Sequence, residues 1–331
     1  MDAELRAKID YLSQPRVYPG RPATIETIET HFAWVFIAGE LVFKLKKPLR
    51  ARDFDFTTLA ARRANCELEV ALNRRLAPSV YLGVVPLCMQ TGQLTLEGPG
   101  TPVEWLVKMR RLPRELALDH AAAAGAVPEA RLRPLLAKLA RFYAGTTRAP
   151  WDGAAYRAAL DRDTERYARE LASPALQLDT SRVAALAGRL RRFVATNAAL
   201  LEARIEAGRV VDGHGDLRPE HVFLTPEPQV IDCLEFSAEL RLQDSAAEAA
   251  FLALECERLK FAPLAARVLE LYRDECRDDV PPKLLAFYRS RQTLIRALIA
   301  AWHLEAGLPT AAAAQWRERA HWYLDAGLGV S

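Results

Sequence analysis

His214-Gly215-Asp216-Leu217-Arg218-Pro219-Glu220-His221, followed nine residues later by Ile231-Asp232-Cys233-Leu234-Glu235-Phe236, decides how this chain is read. The stretch stands out from its surroundings. After Pro113 the sequence is dominated by Ala, Leu, Arg and Glu, all good helix formers. Within 208–236 short apolar runs (Val210-Val211, Val222-Phe223-Leu224, Val230-Ile231) alternate with Gly, Pro, Asp and His. A small β-rich island in a helical background marks a site rather than a core. Two carboxylates on loops beside short strands can converge on one point. Asp216 is therefore a candidate base and Asp232 a candidate metal ligand. Hard oxygen donors suit Mg²⁺, which takes one or two carboxylates together with substrate phosphates.

The chain before the island supplies what such a site needs. A short amphipathic helix is expected over 2–12, with Leu5, Ile9 and Leu12 at helical spacing. Three antiparallel strands follow over 24–29, 33–37 and 41–45, with a turn at Gly39-Glu40. Thr57 or Thr58 caps a helix over about 58–77, closed by Pro78. Strands are expected again at 81–87, 93–96 and 103–109, before Arg110-Arg111-Leu112-Pro113 breaks the pattern. Lys44 lies on a strand and Glu67 and Glu69 on the next helix. A buried ammonium needs a partner, and a helix glutamate is the usual one in a nucleotide site. Glu69 aligns with Cys66, Asn73 and Leu76 on one stripe, whereas Glu67 turns away. Strand lysine, helix glutamate, catalytic Asp loop and metal-binding Asp come in the order of the kinases.

Composition bounds the alternatives. The 331 residues suggest about two domains at ~150 residues each. Apolar residues make up 50% and charged residues 26%, which excludes a disordered or fibrous chain. A net charge of +3 is too balanced to argue for nucleic acid as a partner. Only eight Lys stand against thirty-seven Arg, and three of those eight are Lys44, Lys46 and Lys47. The five Cys form no CxxC pair, and Met1-Asp2-Ala3-Glu4 lacks a signal-peptide layout. With no apolar run of ~18 residues, the expectation is a cytoplasmic protein with reduced thiols and no membrane partner.

The motifs resemble those of the aminoglycoside phosphotransferase family of kinase-like enzymes, which has choline and homoserine kinase relatives. His214-Gly215-Asp216-Leu217 resembles the family's HGDxxxxN catalytic loop. Ile231-Asp232-Cys233-Leu234-Glu235 resembles its I-D-W/F-E element, and the run from Asp244 to Leu252 its following helix start. The runs from Glu29 to Phe36, Lys44 to Pro48 and Asn73 to Pro78 resemble a bacterial subgroup whose longer members carry an added P-loop kinase domain. No G-x-x-x-x-G-K-S/T is present, so the chain looks like the phosphotransferase half alone. The resemblance implies an α+β, protein-kinase-like two-lobed fold. Residues 1–112 would form an antiparallel-sheet nucleotide-binding lobe. Residues 113–331 would form a helical lobe holding the 208–236 island, with ATP between the two lobes.

It implies roles as well. Asp216 would accept the proton of a hydroxyl on a small-molecule acceptor. Asp232 would hold Mg²⁺. Lys44, paired with Glu69, would contact the ATP phosphates. Backbone near Met109 and Arg110, within 108–112, would bind adenine. Two departures are visible. His221 stands where the family has Asn; its softer imidazole brings Mn²⁺ in beside Mg²⁺ and also fits a nucleotide-binding module without useful turnover. No GxGxxG joins the first two strands, so Thr30-His31-Phe32 would cover the phosphates.

Plainer roles compete for several residues. His214 reads as a buried residue fixing its loop, with a transition-metal trio of His214, Asp216 and His221 as the competing reading. Lys46 and Lys47 read as a solvated strand end, Lys46 sharing the face of Lys44. Glu235 reads equally as a second ligand or a loop anchor. Asp244 and Glu248 read as a structural pair at a helix start, and Cys233 as a packing residue. Asp274, Glu275, Asp278 and Asp279 read as a solvated face, with attraction of a cationic substrate as the alternative. Trp302, Trp316 and Trp322 read as helix packing.

Overall fold

The computed structural model describes residues 3–50, 54–305 and 310–329; Met1 and Asp2 of the amino-terminal stretch lie outside them. The chain divides into two compact units, 1–142 with 214–241 and 143–213 with 242–331. The division does not fall at 112, and it splits the 208–236 island between Gly213 and His214.

The first unit is built on a six-stranded antiparallel sheet of order β1-β2-β3-β6-β4-β5. Its strands are β1 (Glu26–Glu29), β2 (Ala33–Ala38), β3 (Leu41–Lys46), β4 (Tyr81–Gln90), β5 (Gln93–Leu96) and β6 (Thr101–Arg110). Period-two alternation sorts each central strand between two faces. On one face Phe36, Phe43, Leu45, Leu87 and Leu106 are fully buried and pack with Ile9 and Leu12 of helix α1 (Ala3–Leu12). Burying a side chain of this size stabilises by roughly 1.5–3 kcal/mol. On the other face Val107 joins Cys66 and Val70 of helix α2 (Leu59–Asn73). Lys44 pairs across the ladder with Val107 and therefore shares the α2 face.

Helix α2 begins as expected, its Thr58 hydroxyl accepting from the Ala61 N–H. It ends at Asn73 rather than at 77. There the Asn73 amide donates to the Glu69 carbonyl, and Arg74 reaches forward to the carbonyls of Tyr81 and Leu82. A bidentate Arg62–Glu104 pair, which Lys8 of α1 joins, fastens α2 to β6.

The second unit is mainly helical, with an antiparallel pair of short strands, Val210–Asp212 and Leu242–Asp244. Arg204 lies buried, its Nε and Nη2 donating to Asp244 at 2.7 and 2.8 Å and its Nη1 and Nη2 to Asp278 at 2.6 Å. Asp244 also caps the helix Ser245–Arg258 and accepts from Tyr288, as its structural reading requires. Asp278 does not belong to a solvated face: it is 6% exposed, because Arg204 and Tyr272 draw it inward. His303 stacks on Trp316 at 3.8 Å and Trp322 meets Tyr323 edge-on, so these indoles pack helices. Among the described residues no helix is long and apolar enough to cross a membrane.

Candidate active site

Strand β3 presents two lysines to α2, not one. The Lys44 ammonium donates to Glu69 Oε1 at 2.9 Å and to Asp232 Oδ1 at 2.8 Å. Lys46 pairs with the other Glu69 oxygen and with Glu235 Oε1 at 2.5 Å. The reading of Lys46 as a solvated strand end is overturned, since it is 1% exposed. Both lysines follow from the i, i+2 geometry of a strand, and Glu69 has one oxygen for each. Glu67 points outward to Arg63 on the exposed face of α2. Burial opposes charge on Lys44 and Glu69, but the opposite charges outweigh it: the Lys44 pKa is raised and that of Glu69 lowered. Lys44 and Glu69 therefore stay ionised.

The loop that carries Asp216 is shaped by His214 and Gly215. His214 is buried, its Nε2–H donating to the Ile231 carbonyl at 2.9 Å while Nδ1 accepts the Asp216 N–H at 3.3 Å. Burial, and then the neighbouring His221, pushes its pKa down to about 4, so the ring is neutral. With both nitrogens used inside the protein, His214 is a loop-fixing residue and not a metal ligand. Gly215 sits at φ +84°, where an added Cβ would stand 3.0 Å from Leu234 Cβ.

His221 stands between the two carboxylates. Its Nδ1 lies 2.9 Å from the Asp216 carbonyl oxygen and 3.7 Å from Asp216 Oδ2, and its Nε2 lies 3.5 Å from Asp232 Oδ2. Nδ1 thus carries the proton, and Nε2 accepts from Arg218 at 3.0 Å. Arg218 also reaches Asp216 Oδ2 at 3.1 Å and Glu220 Oε1 at 2.9 Å.

Asp232 adopts φ +62°, a left-handed conformation uncommon for a residue with a side chain. Neighbours over-determine it. The Asp232 N–H donates to the Tyr81 hydroxyl at 3.1 Å and the Cys233 N–H to Asn73 Oδ1 at 2.9 Å. The Cys233 thiol donates to the His214 carbonyl and lies 3.3 Å from Arg75, a packing position. Burial raises the Asp232 pKa, but Lys44 outweighs it and holds the carboxyl well below the usual range. The carboxylate is 44% exposed. One oxygen faces Lys44 and the other is open beside His221. That matches a Mg²⁺ ion that takes one carboxylate and completes its shell with phosphates and water. His221 fits the same ion less well, because Arg218 faces its acceptor nitrogen. Among the described residues no three His, Cys, Asp or Glu side chains assemble into a metal-holding group.

Met109 and Arg110 lie apart from this cluster. Met109 is paired within the sheet to Val42 and Tyr81, and it packs, partly buried, against the cluster that includes Val70, Val80, Tyr81 and Val107. The Arg110 N–H is donated to the Val80 carbonyl and the Arg111 N–H to Glu40, so these two donors are spent in the sheet.

No family model matches the chain. An uncharacterized protein of Mycobacterium tuberculosis strain H37Rv is 34% identical over 292 residues, covering 87% of this chain and 57% of that protein; a Mycobacterium bovis protein gives the same figures. The chain thus spans little more than half the length of the curated relatives it matches. Among solved structures, a choline/ethanolamine kinase family protein from Mesorhizobium loti superposes with TM-score 0.52 at 16% identity, covering 96% of this chain and 95% of that one. Choline kinase LicA from Streptococcus pneumoniae gives 0.52 at 14% identity over 98% of each chain. A GDP complex of an aminoglycoside 2′-phosphotransferase gives 0.53 at 14% identity over 99% of this chain and 98% of that one. The chain has the kinase-like fold of the aminoglycoside phosphotransferases and choline kinases. The α+β class expected from the motifs is the observed one.

Within this fold, sequence reasoning missed several residues around the charged cluster. Lys46 was legible as sharing the face of Lys44 but not as buried, and Arg218 only as a charge; the stripe that set Asn73 beside Glu69 and the strand start at Tyr81 did not announce their contacts to 233 and 232, which span 160 and 151 residues.

Proposed function

We propose that this chain is a phosphotransferase that moves the γ-phosphoryl group of ATP to a hydroxyl of a small molecule. One observation carries the reading: the Lys44 ammonium touches Glu69 and Asp232 at once, while His221 lies between the Asp232 and Asp216 carboxylates, 3.5 and 3.7 Å from them. In this reading the strand lysine has a third N–H donor for phosphate oxygens. Asp232 would hold Mg²⁺, which would supply neutralisation of phosphate charge. Asp216 orients the acceptor hydroxyl and accepts its proton. Arg218 sets Asp216 Oδ2, and His214 sets the loop. Catalysis then consists of positioning and charge neutralisation. Adenine would lie beyond the spent Arg110 donor, against Met109 and Leu112. Residues 1–112 would supply the nucleotide lobe, and the free cysteines fit a cytoplasmic setting.

The test is ligand-induced stabilisation with ATP or GTP, with Mg²⁺, with Mn²⁺ and without metal. Ligand at ~100 times its dissociation constant stabilises by ~2.7 kcal/mol. A metal-dependent rise in wild type that Asp232→Ala loses is expected. No response to any nucleotide would refute the reading. A second reading, a nucleotide-binding module without turnover, draws on the Arg218 guanidinium covering Asp216. Nucleotide binding with no turnover sensitive to Asp216→Asn would select it. A hundredfold or greater loss of phosphoryl transfer in Asp216→Asn would select the enzyme.

A further inference from the structure

We infer that Lys46 is a positioning residue that latches the Asp232 loop to strand β3 through Glu235, so that Asp232 and Glu69 are held for a metal–nucleotide complex. This rests on the nucleotide reading of the site. Lys46 itself is 1% exposed and closed off from any ligand. Both its partners are buried carboxylates, and an ammonium enclosed this way is stable only while they remain. Glu235 follows Asp232 by three residues, so the ion pair fixes the far end of the loop.

The loop needs such fixing. The left-handed backbone of Asp232 persists only where its surroundings hold it. Tyr81 and Asn73 hold residues 232 and 233. Lys46 holds residue 235. Phe236 then packs on Phe32 of the β1–β2 turn at 5.1 Å and on Phe54 at 5.6 Å, pinning the loop to the turn where a glycine-rich segment is missing. Lys46 also occupies the Glu69 oxygen that Lys44 does not use. Glu69 thus keeps a partner when Lys44 turns toward phosphate. Glu235 is a loop anchor in this arrangement, which decides between its two readings.

The test compares wild type, Lys46→Met and Glu235→Gln by hydrogen exchange and by binding of a fluorescent ATP analogue with and without Mg²⁺. Glu235→Gln keeps the side-chain shape and guards against Lys46→Met failing to fold. Amides of 232–236 are expected to exchange at least tenfold faster in Glu235→Gln, with those of β3 unchanged. Mg²⁺-dependent affinity is expected to fall at least tenfold while metal-free affinity changes less than threefold. Wild-type exchange in 232–236, or an equal fall of both affinities, would overturn the latch. If wild type binds no nucleotide, the functional reading fails, and the exchange arm alone still decides whether the latch exists.

Discussion

His214→Gln tests the Asp216 loop through a proton balance. Burial and the adjacent His221 lower the His214 pKa from 6.5 to about 4. The folded chain therefore keeps the ring neutral where the unfolded chain protonates it. Between pH 6.5 and pH 4 the unfolded state binds more protons, and stability falls as pH falls. The slope approaches ~1.4 kcal/mol per pH unit and the total loss is about 3 kcal/mol across that window. Above pH 6.5 the term vanishes. Glutamine does not titrate, and its amide can donate to the Ile231 carbonyl and accept the Asp216 N–H. At pH 7.5 the variant is expected to be less stable by ~1–2 kcal/mol, from poorer hydrogen-bond geometry. The gap should close between about pH 6 and pH 5 and reverse below that, the variant being the more stable by ~1 kcal/mol near pH 4.5. Urea unfolding over that range measures it, with the His214 Cε1 resonance followed in parallel. Parallel stability profiles, or a His214 titration near 6.5, would refute the argument.

Other outcomes follow from the same geometry. Arg204→Ala leaves Asp244 and Asp278 buried without their cation and should cost ~3–5 kcal/mol, read as a lowered urea midpoint. Gly215→Ala forces a side chain into φ +84° with its Cβ 3.0 Å from Leu234 and 3.1 Å from Arg241. It should cost ~1–3 kcal/mol, and a neutral result in thermal unfolding would contradict the strained loop. His221→Asn replaces the imidazole beside Asp232 with a harder oxygen donor and should shift half-saturation in favour of Mg²⁺ over Mn²⁺. An unchanged metal ratio in nucleotide-binding titrations would remove His221 from the metal's surroundings.

Local patterns were legible because their causes are local. The strand over 41–45 and the Glu69 stripe follow from repeats of two and of 3.6 residues, and a cap at Thr57 or Thr58, which the structure places at Thr58, from the local preference for a hydroxyl at a helix start. The end of α2 was not legible. Asn73 closes it while its Oδ1 accepts the Cys233 N–H, a contact with a residue 160 positions away. Asp278 looked solvated among Asp274, Glu275 and Asp279, because no local pattern announces that Arg204 will enclose it.

The sequence alone set out the candidate residues in order, Lys44, Glu69, Asp216 and Asp232, on strand, helix and loops in turn. It also separated Glu69 from Glu67, since helical periodicity alone places them on different faces. Only the tertiary structure decided that Lys46 is buried, that His221 spans two carboxylates and that Arg218 covers Asp216. The physical reason is common to all three. A charge reads the same in sequence whether water or an opposite charge surrounds it, and only packing across long chain separations settles which.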